Sequence, residues 1–439
     1  MKFRSYFLLS IVVGAAFACS SDDDIPEVHV FTPDATLSLT AGTGEKETKA
    51  NASYDTSNDA MIHRLQMFVF SGTGDNATYQ TSKDTVLTNP ATSAKLEDLP
   101  VQSGSASLLV LANYPKISVS NSPTLSDIIE NTASLEQEGN NGYTMSSQVY
   151  DITIVPGKHN IMGASSDFSS HTPQASLSSD PVVLVRNVAK INLVSLTLKT
   201  KNDDGSGYVL PDGSKPVSFE LDSIFVSNVK SASKIASNKY LGSKTDNNNW
   251  AAVETDMDGT NQWWFGAFNT DAYNDTLSKV SGEQKDLLLY NVVKAVEEKK
   301  WDKTQTLTTT NTTIEDVNGL GKSFLVYENM SRNKENLVPL GEQTILVVCG
   351  RYTRKFDNGA QVTEHGYYAV PVNNKEFGAE TPTGVAKHEF IKRNVKYNIA
   401  LTIASTGSST PYGWDVYAHA AAIVKVMPWN VVEINEGVD

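Results

Sequence analysis

The chain has 439 residues, 40% of them apolar and 20% charged, the balance of a folded protein of two or three domains rather than a disordered one. Its 36 Lys and Arg against 50 Asp and Glu leave a net charge of −14, which argues against nucleic acid or an anionic membrane as a partner. Two cysteines, Cys19 and Cys349, exclude a disulfide framework and a multi-cysteine zinc site. The seven histidines show no HxH or HExxH spacing, so no metal site is expected.

Lys2 and Arg4 precede the apolar run Phe7–Val13, and small residues lead into Phe17-Ala18-Cys19. This is the layout of an export signal: a charged start, a short apolar stretch and a cleavage site. The apolar part, about 12 residues long, is too short to cross a bilayer as a helix. A plain secretory signal cut near Ala18 is one reading. A bacterial lipobox, with cleavage before Cys19 and lipid on its sulfur, is the sharper one. It fits a cysteine standing at the expected cut, followed at once by polar Ser20–Asp24. Acyl chains contributing about 0.8 kcal/mol per buried methylene would then hold the exported precursor on the outer membrane.

From there the chain reads as strands separated by Gly, Ser, Asn and Asp turns. Ala35–Ala41 alternates strictly, with Ala35, Leu37, Leu39 and Ala41 on one face, the period of a half-buried strand. Further strands are expected at 62–70, 106–112, 152–155, 181–198, 218–229, 323–327, 344–349, 366–372, 396–403, 422–427 and 431–434. Helical spacing occurs over Ser126–Gln137 and Gln284–Lys300. Without a regular alternation of strand and helix, a parallel doubly wound sheet is excluded, and antiparallel β-sandwiches with a few short helices are expected. The polar Lys201–Lys215 stretch is the natural place for a domain boundary. No convincing short internal repeat stands out.

Catalytic signals are missing. Gly321-Lys322-Ser323 ends like a phosphate loop, but Asp316 stands where the first glycine belongs, and a strand pattern follows. Cys349 closes the apolar run Ile345–Val348, as a buried inert thiol would. His365 and His388 sit beside Glu364 and Glu389 as surface pairs commonly do. Trp263-Trp264-Phe265 reads as packing before it reads as a glycan platform. Neither a catalytic residue nor a cofactor is expected.

Several segments, taken in order, resemble the fimbrillins, the structural subunits of Bacteroidales type V pili. They are the lipobox Ala18-Cys19, the strand Ala35–Ala41, Glu47-Thr48-Lys49-Ala50, Leu65–Phe70, Leu108–Pro115, Val182–Ile191, Ser323–Asn329, Ile391–Ile399 and Val426–Asn430. The resemblance implies two transthyretin-like β-sandwich domains, at 50–212 and 213–439. Ahead of them it implies a signal peptide at 1–18 and a propeptide at 19–49 that carries lipid on Cys19. It further implies cleavage between Lys49 and Ala50, where the best-known members have Arg, and polymerisation by strand exchange. The continuation past the last tryptophan, Val431-Val432-Glu433-Ile434, then reads as the donor strand of a shaft subunit. Expected partners are copies of the chain itself, accessory subunits and a processing protease. A tip or anchor subunit and a monomeric glycan-binding lipoprotein are the alternatives.

Overall fold

The computed structural model describes residues 31–43, 57–119, 122–139, 141–227, 229, 232–236, 306–315, 322–329, 344–373, 379–380, 391, 393–409 and 420–428. Cys19, Lys49, Ala50, Trp263–Phe265, Gln284–Lys300, His388 and Val431–Ile434 lie outside the described residues. The described residues from Pro33 onward belong to one compact unit.

The first half of the chain contains β1 (Ala35–Gly42), β2 (Ile62–Ser71), β3 (Thr78–Ala91), β4 (Ser93–Val101), β5 (Gly104–Ala112), α1 (Leu125–Ile129), β6 (Thr132–Ser134), β7 (Met145–Ser146), β8 (Tyr150–Ile154), β9 (His159–Met162), β10 (Gln174–Ser178), β11 (Val182–Val183) and β12 (Val185–Arg186). The second half continues with β13 (Val188–Leu198), β14 (Lys215–Ser227), β15 (Ala232–Lys234), β16 (Thr306–Thr308), β17 (Thr313–Glu315), β18 (Lys322–Tyr327), β19 (Ile345–Lys355), β20 (Gln361–Pro371), β21 (Ala379–Glu380), β22 (Val395–Ile403) and β23 (Ala420–Pro428).

The fold is mainly β, as the alternation predicts. A first sheet, β10-β9-β1-β11 with β4 on the other edge of β1, faces a second, β12-β7-β5-β2-β3 with β8 beside β5. Leu37, Leu39, Leu96 and Leu99 from the first sheet and Leu65, Met67, Leu108 and Val110 from the second fill the core between them. A third sheet, β17-β13-β22-β23-β21 with β18, and a fourth, β16-β14-β19-β20, enclose another core around Leu193, Leu196, Phe219, Leu346, Tyr368 and Ile399. Pairing is mixed rather than purely antiparallel: β1–β9, β1–β11, β9–β10, β13–β22 and β21–β23 run parallel. The pairs made by β1 and β13 arise because the chain returns to those strands only after long excursions through the opposite sheets.

Two expectations change. The helix read over Ser126–Gln137 stops at Ile129, because Thr132–Ser134 is taken into a two-stranded pairing with β15. Its start is sound: Thr124 Oγ1 accepts from Asp127 N, and Asp127 Oδ2 accepts from Thr124 N at 2.8 Å. The run 181–198, expected as one strand, splits among β11, β12 and β13, which belong to the first, second and third sheets. Strand pairing therefore changes sandwich around Asn187. Lys201–Lys215, by contrast, connects β13 to β14, two strands that serve the same core. A polar, glycine-rich stretch announces a turn but not which sheets the turn joins.

A buried polar clasp holds the crossing. Arg186 and Arg393 are both fully buried, and each begins an Arg-Asn-Val tripeptide, 186–188 and 393–395. Arg186 Nη1 donates to Asn394 Oδ1 at 3.3 Å, and Arg393 Nη1 donates to Asn187 Oδ1 at 3.2 Å, so the two segments bond reciprocally. Arg393 also forms a two-point pair with Glu328, through Nε at 2.8 Å and through Nη2. Arg186 Nε donates to the Asp59 carbonyl at 2.7 Å, and Lys190 Nζ reaches Asp59 Oδ2 at 2.8 Å. The repeat is only three residues long and carries no hydrophobic period, so the sequence alone does not mark it.

Beside the clasp, Glu138 accepts from Tyr327 OH and from Thr144 N, each at 2.7 Å. Burial pushes its carboxyl up from 4.5 to about 7. Between those two values the folded protein holds a proton that the unfolded chain has lost, so stability falls as pH rises across the interval. The expected loss is about 2 kcal/mol between roughly pH 5 and pH 8, with partial solvent contact allowed for. Urea denaturation at the two pH values measures it, and Glu138→Gln should flatten the dependence.

Candidate functional site

β1 occupies an interior place in the first sheet. One edge pairs antiparallel with β4 from Ala35↔Val101 to Gly42↔Ser93, and the other pairs parallel with β9 from Thr36↔His159 to Leu39↔Met162, then with β11 at Ala41↔Val182. Its inward residues Leu37, Leu39 and Ala41 are fully buried, as the alternation predicts. At the entry, Asp34 Oδ1 and Oδ2 accept from Ser103 N and Ser103 Oγ, both at 2.6 Å, and these bonds hold the Asp34 carboxyl below its usual range. At the far end Gly163 lies against Thr40 with φ +125°, and a Cβ there would stand 3.2 Å from Thr40 Cβ. Glycine lets the chain turn away without pushing on β1.

The other face of β1 is polar and equally well held. Buried His159 meets Thr36 Oγ1 through Nδ1 at 2.7 Å and Ser38 Oγ through Nε2 at 2.8 Å, so both ring nitrogens are occupied by hydroxyls of one strand. His171 stacks on His159 with centroids 4.1 Å apart, and Asp98 Oδ1 lies 3.1 Å from His171 Nε2. Burial and the neighbouring His171 push the His159 imidazole down, which keeps it neutral beside its two hydroxyl partners. Asp98 reaches the cluster from a bulge in β4, with φ 56° and its N–H donated to Ser38 Oγ at 2.9 Å. Withdrawing β1 would leave His159 without either partner, a row of apolar side chains without a cover, and unpaired backbone groups on both flanking strands. The slot is shaped to hold a strand with apolar residues inward and hydroxyls outward.

Of the assembly features that the resemblance implies, the strand Ala35–Ala41 lies within the described residues, and Cys349 and His365, singled out on other grounds, lie within them too. Cys19, Lys49, Ala50, Val431, Val432 and Ile434 lie outside them. Sequence reasoning missed β4, the main partner of β1. Its alternation over Ala94 and Leu96 slips phase at the bulge before resuming at Leu99 and Val101.

Comparisons with known proteins agree with this architecture. Residues 35–204 match the family described as major fimbrial subunit protein (FimA). The major fimbrium subunit FimA type-5 of Porphyromonas gingivalis is 23% identical over 448 aligned residues, covering 98% of each chain. Fim1C of Parabacteroides distasonis, named for a fimbrium tip, is 27% identical over 196 residues, and the match spans about half of that relative, 51%, and 44% of this chain. A crystal structure of a fimbrilin from Porphyromonas gingivalis shares the fold with a TM-score of 0.55, at 20% identity, over 92% of this chain and 99% of that one. The family match begins at the first residue of β1, and likeness to a major fimbrium subunit runs along the whole chain; together they support a fimbrillin of the Bacteroidales kind.

Proposed function

We propose that the chain is a structural shaft subunit of a cell-surface fimbria that supports adhesion. In this reading it is exported as a lipoprotein through Cys19, cut between Lys49 and Ala50 by a protease that accepts lysine, and polymerised by strand exchange. The precursor sits lipidated in the outer membrane, and the mature subunit stands in the extracellular fibre. One observation carries the reading: the strand upstream of Lys49 is an interior one, held on both edges. Its removal opens a slot whose unpaired edges favour strand addition. Val431–Val438 of another copy supplies the replacement, with Val432 and Ile434 inward. Each larger side chain contributes about 1.5–3 kcal/mol when fully buried. Slot and donor come from opposite ends of the chain, so contacts run head to tail and generate a filament.

Deleting residues 431–439 tests this directly. The truncated chain should be exported, folded and processed, yet stay monomeric, and N-terminal sequencing of sheared wild-type fibres should begin at Ala50. Fibres of normal length from the truncated chain would reject the donor, and a start at Cys19 or beyond Arg64 would reject the cut. The likeness to Fim1C favours a tip position as the second reading. Immunogold labelling along the fibre supports the shaft, and labelling confined to its end supports the tip.

A further inference from the structure

Away from the slot, three side chains with metal-binding chemistry converge on the outer face of the fourth sheet. Asp222 on β14, Cys349 on β19 and His365 on β20 come from neighbouring strands. Cys349 Sγ lies 3.0 Å from His365 Nε2, and that nitrogen lies 3.5 Å from Asp222 Oδ2. The three ligand atoms all fall within 4.8 Å of one another. The register explains the meeting. Ser223 stands opposite Cys349 and Leu221 opposite Gly350, so a bulge at Asp222 adds one residue to β14. His365 stands opposite Arg351, two residues along β19 from Cys349 and on the same face.

The surroundings orient each group. Arg351 Nη2 donates to Asp222 Oδ1 at 3.2 Å and to Glu220 Oε1 at 2.8 Å, so Oδ2 is the Asp222 oxygen that faces the imidazole. Tyr367 packs edge-on against His365 with centroids 5.1 Å apart. Cys349 is buried, while the His365 side chain is 46% exposed, which gives an ion a way in.

We propose that Asp222, Cys349 and His365 form a zinc-binding site. Thiolate, imidazole and carboxylate are all zinc ligands, and a soft thiolate selects zinc over magnesium or calcium. Zinc–sulfur and zinc–nitrogen bonds of about 2.3 and 2.0 Å at a tetrahedral angle set sulfur and nitrogen roughly 3.5 Å apart. The observed pair needs to part by about half an ångström, which rotation of the half-exposed imidazole supplies. On binding, the thiol releases its proton to solvent. The resulting thiolate and the Asp222 carboxylate balance the 2+ charge, and Glu220 offsets Arg351. A water completes the coordination, and the ion ties β14, β19 and β20 together. The His159–His171–Asp98 group is a poorer candidate, because it lacks a thiol and both His159 nitrogens already serve β1.

The test uses the full chain carrying Cys19→Ala, in which Cys349 is the only thiol. One equivalent of cobalt(II) should produce a thiolate-to-cobalt charge-transfer band in the near ultraviolet, and zinc should abolish it. Cys349→Ser should lose that band and weaken zinc binding at least about tenfold by calorimetry. Asp222→Asn and the exposed-side variant His365→Gln should each weaken it about 10- to 100-fold. His365→Gln carries the test should Cys349→Ser fail to fold. Absence of the charge-transfer band, or zinc affinity unchanged in the folded variants, would overturn the proposal.

Discussion

Replacing Leu39 by alanine should destabilise the folded chain by about 2–5 kcal/mol, the range for emptying a fully enclosed leucine site. Leu39 is 0% exposed and belongs to the core between the first and second sheets. The cost combines the lost transfer energy of the deleted carbons with a cavity that flanking strands cannot close. β4 and β9 are both hydrogen-bonded to β1 at this position, Leu39↔Leu96 and Leu39↔Met162, so neither can move in without breaking its ladder. Val86→Ala on β3 is the control: Val86 is 62% exposed, and its substitution should fall within about 0.5 kcal/mol. Urea denaturation followed by circular dichroism compares the two. The proposed function adds a second outcome. If β1 is cut away on assembly, Leu39→Ala should weaken only the precursor, and assembled fibres should resist denaturation as wild-type fibres do.

Arg393→Met should cost about 3–5 kcal/mol, because it takes the two-point guanidinium partner away from the buried Glu328 carboxylate. The Arg393 side chain is 0% and the Glu328 side chain 5% exposed, so water cannot take the place of the guanidinium. The substitution also strips donors from Asn187 Oδ1 and Ser233 Oγ. Most of the penalty belongs to the buried carboxylate that has lost its guanidinium rather than to the value of the pair itself. Arg393→Met with Glu328→Gln should therefore recover a large part of the loss, and a double-mutant cycle by urea titration measures how much. A double variant as unstable as Arg393→Met alone would place the cost in the clasp with Asn187 instead.

Local chemistry was enough to read much of this protein from its sequence. The strands β1 and β22 announce themselves by alternation because one face of each meets an apolar core and the other does not, while β2 and β5 read as continuous apolar runs because both of their faces meet apolar cores. The mainly β class and the family resemblance were legible for the same reason: each is carried by neighbouring residues. The tertiary structure decided what depends on distant ones. β3 is largely polar, with Val86 and the 88–90 stretch exposed, so no hydrophobic period marks it, and only its pairing with β2 makes it a strand. β4 hides behind a bulge that shifts its phase. The crossing between sandwiches at Asn187 looks like continuous strand because its polar groups are buried and satisfied by partners more than 200 residues away. His159 with β1, and Cys349 with His365 and Asp222, are likewise products of register. A side chain's chemistry is written in the sequence, but the partner it meets is chosen by which strands pair and by where a bulge turns one residue to another face.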